Sequence, residues 1–256
     1  NPIGMGQGGV GTPTVVLPAD GTYALILDPS IIFTGNATVT LSSELAPPIA
    51  IDGPAVPLSF NRPGMNARLT FDGTANQRVS VGVSGVTIGG PCCIDVAFTA
   101  ILKPDGTTLL NPIGMGQGGV GTPTVVLPVD GAYKIILDPS ISFTGDATMT
   151  LSQDLSAPII VNGPTVPLSI SRAGQNAILS FDGTLGSQVT VRLTGNMLGN
   201  VVVRLVKPDG TVLTSGSGSS SFNLSTQTLP QNGVYTITID PVFVSSGNIT
   251  VGVTSP

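Results

Sequence analysis

Short segments in which hydrophobic and polar residues alternate run along the whole chain. In residues 133–137 the apolar positions Tyr133, Ile135 and Leu137 are two residues apart, and the turn signal Asp130-Gly131 precedes them. Alternation with a period of two is typical of half-buried strands, and no segment has the spacing of an amphipathic helix. Strands of this length, separated by Gly-rich turns, predict an all-β fold of tandem antiparallel, jelly-roll-like β-sandwiches.

The predicted strands fall into two similar sets. The first set covers residues 58–60, 67–71, 78–83, 96–102, 124–127, 133–137 and 147–151. The second set covers residues 177–181, 189–193, 201–206, 222–224, 235–239 and 249–253. This recurrence predicts two sandwiches of the same design.

An internal repeat defines the unit of the chain. Residues 1–18 and residues 111–128 both read NPIGMGQGGVGTPTVVLP, and 35 of the 42 positions in residues 1–42 are identical in residues 111–152. Self-similarity at a fixed spacing indicates an array of structural units. We expect a partial unit in residues 1–45, a Pro-rich linker in residues 46–57, a complete sandwich in residues 58–153, a second Pro-rich linker in residues 154–167 and a second complete sandwich in residues 168–256.

The linkers and the partial unit suggest how such chains assemble. Proline restricts the backbone, so the two linkers are expected to hold consecutive units at a defined angle, as in a rigid rod. The partial unit is predicted to hold a Gly-rich loop at residues 4–11 and strands at residues 14–17, 23–27 and 37–41. Three strands without a partner sheet leave a ladder edge exposed. We therefore expect copies of the chain to bind one another head to tail, by strand or half-domain complementation, and to form a filament.

Composition narrows the range of functions. Only 9% of the residues are charged, the net charge is −5, and there is no His and no Trp. The absence of a basic patch argues against nucleic acid as a partner. No apolar run is long enough for a helix to insert into a membrane. Without histidine, a nucleophile motif or a cofactor loop, we expect no enzyme, and no catalytic, cofactor-binding or metal-binding residues.

A short motif, P-x-x-G-x-Y-x-(I/L)-x-(I/L)-D-P, recurs at residues 18–29, 128–139 and 230–241. Its tyrosines are expected to be half-buried with their hydroxyl groups bonded to the backbone. Its aspartates are expected to accept backbone N–H bonds in a turn, with calcium binding as the alternative. The tyrosines are Tyr23, Tyr133 and Tyr235, and the aspartates are Asp28, Asp138 and Asp240.

Two other features allow more than one interpretation. Cys92 and Cys93 are adjacent, which excludes a zinc site of the usual spacing and leaves either small apolar loop residues or a disulfide. Lys103 and Lys207 begin Lys-Pro-Asp-Gly turns, and a bond from either lysine to a buried Asn or Asp is the alternative to a plain turn.

Longer motifs carry a family resemblance. The stretches GMNARLTFDGTANQRVSVGVSG, ILKPDGTTL and LPVDGAYKIILDPS, and their counterparts in the last unit, resemble repeats of large bacterial surface proteins. They are similar to pre-peptidase C-terminal domains and to the β-sandwich arrays preceding RHS-type regions. The resemblance implies an extracellular, non-catalytic module. The Gly-rich NPIGMGQGGVG stretch is not part of that family pattern.

The functional hypothesis is a structural subunit of an extracellular filament, sheath or surface layer, assembled head to tail from β-sandwich repeats. The alternative is an adhesin stalk or a carbohydrate-binding module of a larger secreted or surface protein. Sugar sites are usually built on exposed aromatic rings, and aromatic residues make up only 4% of this chain. The composition therefore favours the structural hypothesis.

Overall fold

The computed structural model describes residues 3–4, 10, 12, 14–29, 34–89, 95–140 and 143–256. In this part of the chain the regular structure consists of strands, and they form two tandem β-sandwiches. The all-β prediction is thereby confirmed.

In the described residues the first sandwich contains nine strands, β1 to β9. They are β1 (Val56–Phe60), β2 (Ala67–Gly73), β3 (Arg78–Ser84), β4 (Ala97–Leu102), β5 (Thr108–Met115), β6 (Val120–Gly121), β7 (Val125–Val126), β8 (Gly131–Pro139) and β9 (Gly145–Gln153). One sheet has the order β2-β8-β4-β5. The other has the order β1-β9-β3-β6, and β7 also pairs with β3.

The second sandwich repeats this topology with one added edge strand, β10. Its strands are β10 (Leu155–Pro158), β11 (Val166–Ile170), β12 (Ala177–Gly183), β13 (Gln188–Thr194), β14 (Val201–Val206), β15 (Val212–Gly218), β16 (Phe222–Asn223), β17 (Gln227–Thr228), β18 (Gly233–Pro241) and β19 (Gly247–Thr254). Its sheets have the orders β10-β12-β18-β14-β15 and β11-β19-β13-β16, and β17 also pairs with β13.

Alternation along each strand builds the two cores. In β8, Tyr133, Ile135 and Leu137 are fully buried, whereas the residues between them reach the surface. Burial of each such side chain contributes about 1.5–3 kcal/mol. An aromatic pair closes one end of each core: Phe71 stacks on Tyr133 at a ring-centroid distance of 5.4 Å, and Phe181 stacks on Tyr235 at 5.6 Å.

The Pro-rich stretches predicted as linkers belong to the sandwiches instead. Residues 155–158 form β10, which pairs in parallel with β12, and Ile159 lies in the second core. Leu45 and Pro48 make the corresponding parallel bridges to β2. Proline is tolerated here because an edge strand leaves one row of N–H groups without a ladder partner.

The Gly-rich stretch also differs from its prediction in the copy at residues 111–121. Its first five residues complete β5, and Val120–Gly121 forms β6. Glycine makes this strand fit, since a Cβ added to Gly114 would lie 2.5 Å from the carboxyl carbon of Asp95. In the last unit the same place is taken by a Ser-rich stretch at residues 214–221, and part of it forms β15.

The strands predicted at residues 14–17, 23–27 and 37–41 are not formed. Their side chains are largely exposed, in contrast to the same residues of the second copy. The physical reason is the strand order of the sandwich. In the second copy the equivalent segments pair with strands that come earlier in the same unit.

The hydroxyl contact predicted for the tyrosine of the repeated motif is confirmed, whereas the predicted half-burial is not. Tyr133 donates to the backbone oxygen of Val129 (2.7 Å), and Tyr235 donates to that of Gln231 (2.9 Å). Both side chains are fully buried. Tyr23 makes the same bond to Ala19, four residues before it, although its ring is exposed.

These bonds predict different effects of one substitution at two sites. Tyr235→Phe should lower the unfolding free energy of the second sandwich by about 1 kcal/mol, because the carbonyl of Gln231 loses its partner. Tyr23→Phe is the matched control and should have no measurable effect, because water replaces a hydroxyl group that is already exposed. Amide hydrogen exchange in β18 during urea titration measures the difference. Equal effects of the two substitutions would contradict the prediction.

Candidate assembly interface

The two sandwiches meet at a contact that we call the joint. On one side is the sheet containing β3, β9 and β6. On the other are the loop at residues 171–176, between β11 and β12, and the loop at residues 242–246, between β18 and β19. Every residue from Val79 to Val83 in β3 is buried, on both faces of the strand. In β13, the equivalent strand of the second sandwich, burial alternates with exposure along the strand.

Glycine residues allow the backbones at the joint to touch. A Cβ on Gly82 would overlap the carbonyl group of Ala173, and a Cβ on Gly174 would lie 2.5 Å from the Cα of Gly82. Gly174 also has a positive φ of 69°, a conformation that other residues rarely adopt. A Cβ on Gly121 would overlap the carbonyl oxygen of Phe243. Without side chains at these positions, backbone packs directly on backbone.

Phe243 carries backbone strain at this contact. Its φ is +62°, which is unusual for a bulky residue and costs about 1–3 kcal/mol. The strained residue brings its carbonyl oxygen against Gly121, while its ring stays largely exposed. The joint therefore stabilises a loop conformation that the loop alone would not favour.

Arg172 is the main polar anchor of the joint. Its Nε donates to Ser152 Oγ (2.8 Å), and its Nη2 donates to the carbonyl oxygens of Gly53 (2.7 Å) and Leu151 (3.2 Å). Thr150 Oγ1 donates from the first sandwich to the second, to the carbonyl oxygen of Ala173 (2.7 Å). Arg172 is therefore hydrogen-bonded to two separate segments of the first sandwich.

Asp154 lies where the chain passes from one sandwich to the next. Its carboxylate accepts from Arg78 Nε (2.9 Å) and from Thr124 Oγ1 (2.7 Å), and its side chain is 2% exposed. Asn176 reaches the same place, because its Nδ2 donates to Thr124 Oγ1 (3.0 Å), and its backbone oxygen accepts from the N–H of Leu155 (2.9 Å). A buried carboxylate with two donors is satisfied, and it fixes the crossing point of the chain.

Part of the same joint recurs 110 residues upstream. The side-chain amide oxygen of Asn66 accepts from Thr14 Oγ1 (3.2 Å), and Asn176 contacts Thr124 in the same place, although there the amide donates. Leu45 N–H donates to the carbonyl oxygen of Asn66 (2.9 Å), and Leu155 N–H donates to that of Asn176 at the same distance. Ser42 Oγ donates to the carbonyl oxygen of Pro63 (3.0 Å). The exposed N-terminal segment therefore makes some of the polar contacts of a joint.

The second sandwich presents a different face at the corresponding place. The strand pairing puts Arg192 where the first sandwich has Gly82, and Asn223 where it has Gly121. Both of these residues are exposed. Side chains here leave no room for a backbone loop, so the face cannot receive another unit in the same way.

The predicted role of the aspartates before proline is wrong. Asp138 and Asp240 lie inside β8 and β18 rather than in turns. Asn66 donates to Asp138 Oδ1 (2.9 Å), which places this carboxylate beside the upstream joint. Desolvation raises the pKa of Asp138. Desolvation also raises the pKa of Asp240, although Arg204, 3.6 Å away, lowers it in part.

The remaining predicted sites have simple outcomes. Cys92 and Cys93 lie outside the described residues. Lys103 Nζ is 3.9 Å from Asp105, and Lys207 Nζ is 3.1 Å from Asp209; both carboxylates are at the surface, so these are turn ion pairs. Within the described ranges, no cluster of three His, Cys, Asp or Glu side chains could hold a metal ion, and none of the structure forms a helix that could span a membrane.

The joint residues escaped the sequence analysis, although a signal for them exists. The segments NRPGMN at residues 61–66 and SRAGQN at residues 171–176 share an Arg, a Gly and an Asn at fixed places. Thr14 and Thr124 share the repeat spacing. The glycine at residue 82 gives no such signal, because the second sandwich has arginine there.

Substitution of Gly82 should open the joint without unfolding either sandwich. In Gly82→Ala the new methyl group would overlap Ala173, whereas Gly118→Ala is a matched control, because nothing lies within 4 Å of a Cβ at residue 118. We expect ¹⁵N relaxation to give one rotational correlation time for the wild type and the control. Gly82→Ala should give shorter, separate times for the two sandwiches. A single unchanged time in Gly82→Ala would refute this role.

The surface turns predict a pH dependence. Hydrogen bonds from Thr211 lower the pKa of Asp209 from 3.8 to about 2. Because the folded pKa is lowered, the stabilisation is present above pH 3.8 and is lost as the pH falls from about 4 to about 2. An NMR titration of the Asp209 carboxyl carbon should show a midpoint near 2. Thr211→Val should move this midpoint up towards 3.8; if the midpoint does not move, the hydroxyl group is not the cause.

Comparison with known proteins gives no family. No protein-family model matches the chain, and no curated protein matches it significantly. A periplasmic inhibitor of g-type lysozyme, PliG of Aeromonas hydrophila, is similar over 39% of this chain and 96% of its own, with 13% identity and a TM-score of 0.30. The CUB1-EGF-CUB2 domain of human MASP-1/3 is similar over 78% and 99%, with 7% identity and a TM-score of 0.25. The secreted serine protease VesC of Vibrio cholerae is similar over 82% and 49%, with 12% identity and a TM-score of 0.29. At these values none of the three carries a functional argument.

Proposed function

We propose that the chain is a structural element of an extracellular filament, sheath or surface layer, in which β-sandwich units follow one another through rigid joints. The observation that carries this proposal is the recurrence of joint contacts, Asn66 to Thr14 and Asn176 to Thr124, at the spacing of the repeat. A contact that recurs with the repeat is a property of the array. Units joined in this way follow one another at a constant angle.

The physical character of the joint supports a mechanical role. Backbone packs on backbone at Gly82 and Gly174, and Arg172 adds three hydrogen bonds. Domains connected by a linker alone would move independently, which is the default for small polar contacts. Here the connection is short, because Gln153 ends one sandwich and Leu155 begins the next. A short connection with a packed contact favours a stiff rod.

The surroundings of the aromatic residues favour this function over sugar binding. Tyr133 and Tyr235 are fully buried and so offer no platform to a ligand. An open groove of about 700 Å³ lies between residues 48–51 and β2, and its aromatic residue, Phe71, belongs to the core. An adhesin stalk would use the same stiff joint, and it remains the second candidate because this joint suits it equally well.

Loss of Arg172 should make the rod flexible. Hydrogen bonds to a charged group contribute about 1.5–3 kcal/mol each, so Arg172→Ala should raise the open fraction of the joint tenfold or more. Arg62→Ala is the matched control: Arg62 holds the equivalent position in the upstream loop, is exposed, and makes no side-chain hydrogen bond to the described residues. Small-angle X-ray scattering should show a wider distribution of distances in Arg172→Ala only. If the wild type already shows that wide distribution, the rod proposal is wrong.

A further inference from the structure

The N-terminal segment exposes apolar side chains that its second copy buries. Residues 1–42 and 111–152 are nearly identical in sequence, so a difference in their surroundings must come from what each copy packs against. Four pairs show the contrast in exposed fraction: Leu17 60% and Leu127 0%, Tyr23 49% and Tyr133 0%, Leu27 48% and Leu137 0%, Leu41 82% and Leu151 0%.

The strand order of the first sandwich shows what the exposed copy lacks. Strand β8 lies between β2 and β4, and β9 lies between β1 and β3. The short strands β6 and β7 both pair with β3. All of these neighbours come from residues 56–102, which we call the first half of a unit. Strands of the second half, residues 111–153, therefore have their partners in the first half and not among themselves.

We propose that residues 14–29 and 34–43 bind a first-half segment and complete a third sandwich with it. The partner is a polypeptide with the strand pattern of β1 to β4 and a glycine at the position of Gly82. This proposal rests on the proposed function, because it takes the upstream contact to be a joint of the same array.

The two first halves within residues 1–256 cannot supply the partner without loss elsewhere. Residues 1–256 contain two first halves, at β1–β4 and at β11–β14, and both are already paired with second halves. They contain three second halves, counting the N-terminal segment. Exchange between copies would fill one unit and empty another. The occupant is therefore an unpaired first half that lies outside residues 1–256.

The requirement for glycine follows from the joint. The upstream loop contains Gly64, with a φ of +74°, at the place of Gly174, and Pro63 at the place of Ala173. Ser42 and Asn66 already hold this loop against the N-terminal segment. A completed unit must bring its third strand against this loop, where a side chain at the position of Gly82 would collide with it.

The direct test lengthens the full chain. A second copy of residues 46–110 is placed before Asn1, and amide hydrogen exchange is measured in residues 14–29 and 34–41. Those residues of 124–151 that are identical to their counterparts in the N-terminal segment serve as the internal reference. We expect exchange in the N-terminal segment to slow by about 100-fold or more, towards the rate of the reference, as its amides enter a sheet. The same added copy carrying Leu69→Asp and Phe71→Asp is the control and should give no protection.

A second format keeps the test decisive. Residues 46–110 are added to the unmodified chain as a separate polypeptide, with and without Gly82→Arg in the added polypeptide. The proposal is supported if the added polypeptide with Gly82 slows amide exchange in the N-terminal segment and the one with Gly82→Arg slows it less. Fast exchange in both formats, with the two existing sandwiches unchanged, overturns it. Flexibility of the joint at Arg172 would instead count against the proposed function and is measured without any added copy.

Discussion

The structure depends on one constraint, which is that the two halves of each unit interleave. Strand β8 is inserted between β2 and β4, and β9 between β1 and β3, so hydrogen bonding in both sheets runs between the halves. Neither half can satisfy its backbone groups or bury its apolar face alone. Two complete units fold, whereas the described part of residues 1–42, which match residues 111–152 at 35 of 42 positions, forms no strands. Identical residues thus take different structures because their partners differ.

The joint turns these units into an array. Glycines at residues 82 and 174 let two backbones pack directly, and Arg172 and Asp154 make hydrogen bonds beside them. Because the receiving face of the second sandwich has Arg192 and Asn223 instead of glycines, the joint has a direction. A receiving face and an inserted loop are different surfaces, so the contact between the two sandwiches is heterologous. These features support the proposed stiff, directional rod.

Much of the fold could be predicted from the sequence, because alternation and turn residues are local signals. Strands β4 and β14 and the tyrosine contacts are close to their predicted positions. The signals failed where tertiary structure decides. Strand β5 runs into the Gly-rich stretch because β4 lies beside it, and β10 forms within a Pro-rich stretch because it is an edge strand. The joint was missed for a related reason. A glycine such as Gly82 in the middle of a strand suggests only a local irregularity, and its role appears when the neighbouring sandwich is in place.

The relative orientation of the two sandwiches tests the account most directly. Residual dipolar couplings of the intact chain in a weakly aligning medium report whether β1–β9 and β10–β19 share one orientation. We predict that one alignment tensor fits both sandwiches in the arrangement set by the contacts of Arg172 and Gly82. Two different tensors, with a smaller magnitude for one sandwich, would show that the sandwiches move independently. That result would contradict the rigid joint and, with it, the structural function.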